Sequence, residues 1–369
     1  MDLNTGLVMG IDIGRDKTQI CYYDYADKGL KTDIYDNTED CYEIIGKAVS
    51  WVMKQIKMYT VDKLCVTVYR FEKDILDNIR CALEKMQLTP QNYIILSHEE
   101  CYAYYAFNQK SDLYKRGVML IESEKEGMYC HLMRIMQNVG NTSRDIVCEN
   151  TSFFDDLRND DNGIIINKDS EKIIMEHIKE TLGNTYVSSY YLTGAGFDTD
   201  KFPEEFTHFL CSGQRAFVGQ NIYAKGACMC AANLSGSSKT PDVFENIILG
   251  CANRITTGIE MNILERGRNM RFRMVKPGVN WYNACRNVDF IIDDVNEINL
   301  IMRPCDGSGD YKEVISLDKI PYRKNKTTRV GFEIEFISDS TFIVTVEDKG
   351  FGEFFKGSGQ VIRKEIHMR

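Results

Sequence analysis

No uninterrupted apolar run in the 369-residue chain approaches the roughly 20 residues that span a bilayer, so no membrane-crossing helix is expected. Net positive charge is also missing. Lysine and arginine number 45 against 54 aspartates and glutamates, a formal net charge of −9, whereas a protein that grips a phosphate backbone needs a basic face. Neither nucleic acid nor a membrane is an expected partner. The opening residues, MDLNTGLVMGIDIG, lack the basic start, long apolar stretch and small-residue cleavage site of a signal peptide. Proline is scarce, at 6 residues, and the 5 histidines (His98, His131, His177, His208, His367) show no metal or triad spacing. Cys228-Met229-Cys230 has the wrong spacing for a zinc knuckle. What remains is ordinary for a globular protein, with 43% hydrophobic and 27% charged residues. At roughly 100–200 residues per domain, the length suggests two or three domains. The 13 cysteines, an odd number scattered through apolar and helical stretches, read as free thiols in a reducing cytoplasm.

Periodicity divides the chain. Leu7–Ile13, Thr18–Tyr23 and Leu30–Tyr35 read as three short strands, the last two joined at Asp27-Lys28-Gly29. From Asp40 to Tyr59 the apolar residues Ile44, Ile45, Ala48, Trp51, Val52 and Ile56 recur at spacings of three and four, which is an amphipathic helix. Lys63–Tyr69 is a buried strand, Phe71–Leu88 a helix stopped by Thr89-Pro90, Tyr93–Leu96 a strand and Glu99–Phe107 a short helix. The order is β-β-β-α-β-α-β-α. A reduced version follows: strands near Gly117–Ile121, Met128–Met136 and Asp145–Glu149, a helix over Ser170–Leu182, a strand over Tyr186–Leu192, then helices over Lys201–Leu210 and Ile222–Ala232. Two such units in tandem suggest a duplicated α/β domain. Leu234 to Pro241 is a turn-rich linker. Beyond it almost only strands are expected, among them Val243–Leu249, Arg271–Val275, Arg286–Ile292, Asn299–Arg303, Arg329–Phe336, Thr341–Val346 and Glu353–Arg363. An antiparallel β-sandwich suits that spacing.

Three turns carry candidate chemistry. GIDIGRDKT, residues 10–18, ends an apolar strand in Asp12 and Gly14 before a second strand leaves at once. Such a hairpin can present backbone N–H groups and one carboxylate to a phosphate and its metal ion, or be a tight turn and nothing more. LTGAGF, residues 192–197, joins a strand to a helix, where Gly194 and Gly196 allow close backbone approach and the helix N-terminus favours an anion. Ser97-His98-Glu99-Glu100 opens a short helix. Glu99 there is a candidate water-positioning carboxylate, or an acidic residue complementing the helix dipole.

The order of these features resembles the actin-like and heat-shock ATPase superfamily, and within it the DnaK-type chaperones. Gly10, Ile11, Asp12 and Gly14 match that family's first phosphate hairpin, with Ile13 in place of leucine. ILSHEECYAYYAF (95–107) is similar to its second conserved strand–helix element and places Glu99 at the catalytic-glutamate position. Leu192–Gly196 and Tyr223-Ala224-Lys225-Gly226-Ala227 resemble its adenosine motif. Past the linker, Gly258-Ile259-Glu260 and residues 330–353 are similar to parts of its peptide-binding sandwich.

The resemblance implies an α/β plus all-β architecture. A duplicated ribonuclease-H-like, actin-like ATPase domain would cover residues 1–235, with lobes of about 1–112 and 113–235. A linker would cover 236–250 and a β-sandwich resembling a peptide-binding domain 251–369. It implies ATP and Mg²⁺ between the lobes. Gly10, Asp12, Gly14, Arg15, Lys17, Glu122, Gly194, Ala195 and Gly196 would line the cofactor, Asp12 and Glu122 would hold the metal, and Asp12 and Glu99 would serve catalysis. It also implies a protein or peptide partner, held near Met261–Leu264. The chain departs from the family at the second phosphate motif. There Glu122-Ser123-Glu124-Lys125-Glu126-Gly127 stands where the family has an open glycine loop, and like charge near a triphosphate is repulsive. No counterpart of the family's catalytic lysine is found. The second reading is therefore a nucleotide-free pseudo-ATPase that assembles with partners. The family is also much longer, so the outer subdomains and a helical lid are expected to be small or absent.

Overall fold

A computed structural model describes residues 6–14, 17–36, 41–137, 145–157, 166–197, 202–238, 240–241, 243–293, 295–324 and 326–369. It divides into two compact units: the described residues up to Met136 and from Val147 to Cys251 form the first, and those from Ala252 to Arg369, with Gln137, Asp145 and Ile146, the second.

The first unit begins with β1 (Leu7–Ile13), β2 (Lys17–Asp24), β3 (Gly29–Asp36), α1 (Cys41–Ile56), β4 (Val61–Val68), α2 (Lys73–Lys85), β5 (Tyr93–Ser97) and α3 (His98–Phe107). Its sheet has the order β3-β2-β1-β4-β5. The first three strands are antiparallel neighbours, and β4 and β5 are added in parallel. The pattern then repeats with β6 (Val118–Glu124), β7 (Gly127–Met136), β8 (Asp145–Phe154), α4 (Ser170–Leu182), β9 (Ser189–Gly194), α5 (Glu204–Cys211), β10 (Arg215–Val218) and α6 (Ile222–Ser235). The second sheet runs β10-β9-β6-β7-β8 and adds one edge strand, β11 (Ile247–Gly250), which follows the short α7 (Val243–Asn246). This strand order, found twice, is the ribonuclease-H-like sheet, and the duplication is the actin-like ATPase fold.

The two halves exchange helices. α6 comes from the second half yet lies across β1, β4 and β2 of the first sheet. α3 comes from the first half, and its Tyr102, Ala106 and Phe107 share a core with Val118, Leu120, Met133 and Val147 of the second sheet. Alternate residues of β6 explain its unbroken apolar run: Val118 and Leu120 face that core, while Met119 and Ile121 face α4 and α5 with Ile174, Ile178 and Phe206. Two glycines permit the crossing. A side chain at Gly226 would meet the Cys101 carbonyl oxygen at 1.9 Å, and one at Gly10 the Cys228 amide nitrogen at 2.3 Å.

The second unit is antiparallel. Its strands are β12 (Arg254–Ile255), β13 (Thr257–Glu265), β14 (Arg268–Val275), β15 (Val279–Asn280), β16 (Arg286–Ile292), β17 (Glu297–Pro304), β18 (Tyr311–Ser316), β19 (Thr328–Phe336), β20 (Thr341–Asp348), β21 (Gly350–Phe351), β22 (Phe355–Lys356) and β23 (Val361–His367). Two four-stranded sheets, β14-β13-β17-β18 and β16-β19-β20-β23, dominate it. Phe272 of one meets Phe290 of the other edge-on at 5.9 Å. Burial alternates along β19 and β20, with Val330, Phe332, Ile334, Phe342, Val344 and Val346 on the inner face.

Several expectations differ from this structure. Val243–Leu249 is not one strand but α7 followed by β11. Ile247 and Leu249 are buried beside α3, so part of the stretch expected as a linker is sheet. β10 and β18 escaped the sequence reading because both are short and largely exposed at sheet edges. Met261 lies inside the sheet, between β14 and β17, whereas Asn262–Leu264 pair with β14 alone.

Candidate functional site

The ends of β1 and β6 and the start of α3 bring the predicted carboxylates to one crevice of the first unit. The approach is rigid. Ser97 caps α3 by accepting the Glu100 amide at 3.3 Å, while the Glu100 carboxylate accepts the Ser97 amide at 2.8 Å. This reciprocal cap fixes His98 as the first helical residue. A positive imidazole at a helix N-terminus opposes the dipole, and Asp12 compensates it: His98 Nε2 lies 2.8 Å from Asp12 Oδ1. The His98 ring stacks on Tyr223 of α6, with centroids 3.8 Å apart and planes 9° apart. Tyr223 in turn donates its hydroxyl to Glu122 at 2.7 Å.

The chain of contacts continues into the second sheet. His131 on β7 has Nε2 3.6 Å from Glu122 and Nδ1 3.1 Å from Glu149 on β8. Thr151 lies 2.9 Å from the same Nδ1 and donates to Glu149 at 3.0 Å. Asp12, His131, Glu122 and Glu149 are all largely buried, so these charges hold one another out of water. Burial pulls both imidazoles down, but the carboxylates prevail. Asp12, with Glu122 and Glu99 behind it, holds His98 above its ordinary value, and Glu122 and Glu149 push His131 up to about 10. Burial raises Glu122, yet His131, the His98 charge and Tyr223 keep it below the usual carboxylate range. Burial and the Glu149 charge push Glu99 up, against His131.

The predicted cradle glycines have other neighbours. Gly10 is needed by α6. The Gly14 amide donates to the Lys17 carbonyl at 3.1 Å and closes its own hairpin. Lys17 is exposed at the start of β2, and Arg15 lies outside the described residues. Gly194 has φ +93°, and a side chain there would meet the Ser123 carbonyl oxygen at 2.1 Å. Gln220 clamps its backbone from both sides, accepting its N–H and donating to its carbonyl, each at 3.1 Å. Ala195 is exposed in the following turn, Gly196 has φ +90°, and the Phe197 amide donates to the Gly194 carbonyl at 3.2 Å. The second hairpin pairs through Glu124 and Gly127, leaving only Lys125-Glu126 at its tip.

This donor set does not fit a triphosphate. The Gly14 and Gly194 amides are engaged by Lys17 and Gln220, and the two imidazoles at the crevice are paired with Asp12, Glu122 and Glu149. Among the described residues, no three His, Cys, Asp or Glu side chains are placed to hold a metal ion, and no helix is long and apolar enough to cross a membrane. Sequence reasoning gathered Asp12, Glu99 and Glu122 but left His98 and His131 as bland residues. The usable signals were the adjacency of His98 to Glu99 and the antiparallel partnership of Glu122's strand with that of His131.

Residues 24–246 match the model of a family of unknown function, DUF5716 C-terminal, and residues 254–368 match a domain of unknown function, DUF8552. The first match takes in more than half of the chain, and the chain belongs to that family. No curated protein matches. Among solved structures, the activator of the 2-hydroxyisocaproyl-CoA dehydratase from Clostridium difficile with bound ADPNP is similar at 12% identity and a TM-score of 0.38, covering 63% of this chain and 97% of that one. The ROK hexokinase from Thermus thermophilus is similar at 10% identity and a TM-score of 0.39, covering 60% and 97%. The ethanolamine utilization protein EutJ from Carboxydothermus hydrogenoformans is similar at 10% identity and a TM-score of 0.39, covering 62% and 91%.

Proposed function

We propose that this member of the DUF5716 family is a pseudo-ATPase: an actin-like fold that does not hydrolyse ATP and serves as a scaffold for assembly. One observation carries the reading. The Asp12–His98–Tyr223–Glu122–His131–Glu149 chain lies between the two hairpins and pairs both imidazoles with carboxylates, although His131 Nε2, 3.6 Å from Glu122, makes no hydrogen bond. Phosphoryl transfer depends on positioned cations that neutralise charge developing on the transferred group. Here Asp12 and Glu122 are engaged by imidazoles and a phenol, and the second hairpin adds Glu124 and Glu126. The test is a phosphate-release assay with ATP and Mg²⁺ on the purified chain. Release indistinguishable from buffer is expected. Turnover that is lost in Glu99→Gln would overturn the reading.

A second reading, nucleotide binding without hydrolysis, is favoured by the duplicated fold and by the Gly194–Phe197 turn between β9 and the segment leading to α5. Calorimetric titration with ATP separates it: saturable heat with one site per chain supports binding, and flat heats support the scaffold. Peptide holding by the second unit, implied by the chaperone resemblance, is a further part of this proposal. It predicts that an extended apolar peptide binds the full chain.

A further inference from the structure

We infer that the second unit takes up an extended acidic peptide as an added strand along the outer edge of β14. β14 ends the sheet order β14-β13-β17-β18, and among the described residues no backbone hydrogen bond reaches its far side. The β13–β14 turn, Arg266-Gly267, is closed by the Glu265–Arg268 pair and has φ of +49° and +80°, as a two-residue type I′ turn requires. The closing pair of such a turn is hydrogen-bonded, and bonded and non-bonded pairs alternate from it. Asn269, Arg271 and Arg273, opposite Leu264, Asn262 and Glu260, therefore point their backbone N–H and C=O groups outward. A row of unpaired backbone donors and acceptors at strand spacing is the template for another strand.

The side chains select what that strand carries. Arg271 and Arg273 share a face and reach the buried Glu260 carboxylate at 3.8 and 3.3 Å. Arg303 reaches the same carboxylate at 3.2 Å and holds Asp310 at 3.3 Å. The two edge guanidiniums thus share one carboxylate with a third, and each side chain is more than half exposed. Arg266 and Arg268 are exposed at the tip, and among the described residues neither has a carboxylate partner. The hairpin, residues 257–275, holds four arginines against two glutamates, Glu260 and Glu265, in a chain whose acids outnumber its bases. It holds no lysine. Lysine suffices to keep an edge from pairing, whereas the planar fork of arginine takes a carboxylate through two hydrogen bonds.

The opposite face of β14 is apolar. Met270 is nearly half exposed and Phe272 partly so. In a strand added at this edge, alternate residues lie opposite Arg271 and Arg273, and those between them lie over Met270 and Phe272. The occupant is therefore acidic and apolar in alternation. This inference does not depend on the crevice reading, and it names a different peptide from the apolar one implied by the chaperone resemblance.

Fluorescence anisotropy of a labelled peptide alternating glutamate and valine, titrated with the full chain, tests it. Saturable binding that weakens as salt rises is expected. Methylating the backbone nitrogens of the peptide should abolish binding, because the charge stays and the strand donors go. Peptides with lysine or serine in place of glutamate should not bind. Arg271→Gln, at an exposed side chain, should weaken binding by at least about tenfold with unchanged circular dichroism. The peptide controls need no variant, so they decide the matter even where Arg271→Gln misfolds. No binding at low salt, equal binding of the methylated peptide, or a folded Arg271→Gln that binds as well as wild type overturns the inference. Equal binding of the serine–valine peptide overturns it too, and leaves the apolar-peptide reading standing. Tighter binding of a DNA duplex than of the acidic peptide overturns it as well.

Discussion

Glycine and histidine carry opposite lessons at the scale of single residues. Gly226 looks like part of a ligand motif, but the Cys101 backbone occupies the space its side chain would need. Gly226→Ala should cost about 3 kcal/mol or more, because backbone cannot yield as a flexible side chain does. Gly46 in α1 has nothing within 4 Å of the same position, and Gly46→Ala should stabilise by about 0.5–1 kcal/mol. Urea denaturation of the pair checks both signs. His131 is held as a cation by Glu122 and Glu149. Its raised value means that its stabilisation is full below the unfolded imidazole value, near 6.5, and is lost as pH rises through about 10. Glu122, held low, contributes above the unfolded carboxylate value and loses that contribution on acidification. The melting temperature of the wild type should therefore fall from pH 7 to 10. His131→Gln should be less stable at pH 7, by about 3–5 kcal/mol for a broken buried pair, and its melting temperature should change less across that window.

Whole elements were legible where periodicity or an unbroken apolar run was strong. β1, α1, β4, α2 and the β19–β20 hairpin follow from patterns that only one secondary structure satisfies. Edge strands such as β10 and β18 bury too little to leave a pattern, and the apolar run Val243–Leu249 is a strand only in its second half, β11, whose burial comes from distant α3. The crevice was half legible: turn residues revealed Asp12 and Glu99, and the resemblance pointed to Glu122, but the pairing of β6 with β7 that delivers His131 is a fact of register. The second unit offers an element-scale test. The Asp348 side chain is fully buried at the end of β20 and takes both Arg323 guanidinium nitrogens at 2.7 Å, the Gly350 amide at 3.1 Å and the Ser358 amide at 2.8 Å. Arg323 holds this carboxyl well below the usual carboxylate range. Arg323→Ala strands a buried charge and should cost about 3–5 kcal/mol. Arg323→Ala/Asp348→Ala should recover part of that loss, as a double-mutant cycle in urea will show.

At the scale of the whole molecule, an actin-like fold and an antiparallel unit occur in one acidic chain, and two of the carboxylates expected at the nucleotide, Asp12 and Glu122, are paired with His98 and His131. The exchange of α3 and α6 demands Gly10 and Gly226 whether or not a ligand is bound, so these glycines specify the fold before they specify chemistry. The most direct measurement is thermal unfolding of the purified chain at pH 7, with and without ATP and Mg²⁺ at roughly millimolar concentration. A ligand at a hundred times its Kd stabilises by about 2.7 kcal/mol. The account predicts coincident unfolding curves. A saturable rise in melting temperature that needs both ATP and Mg²⁺ would contradict it.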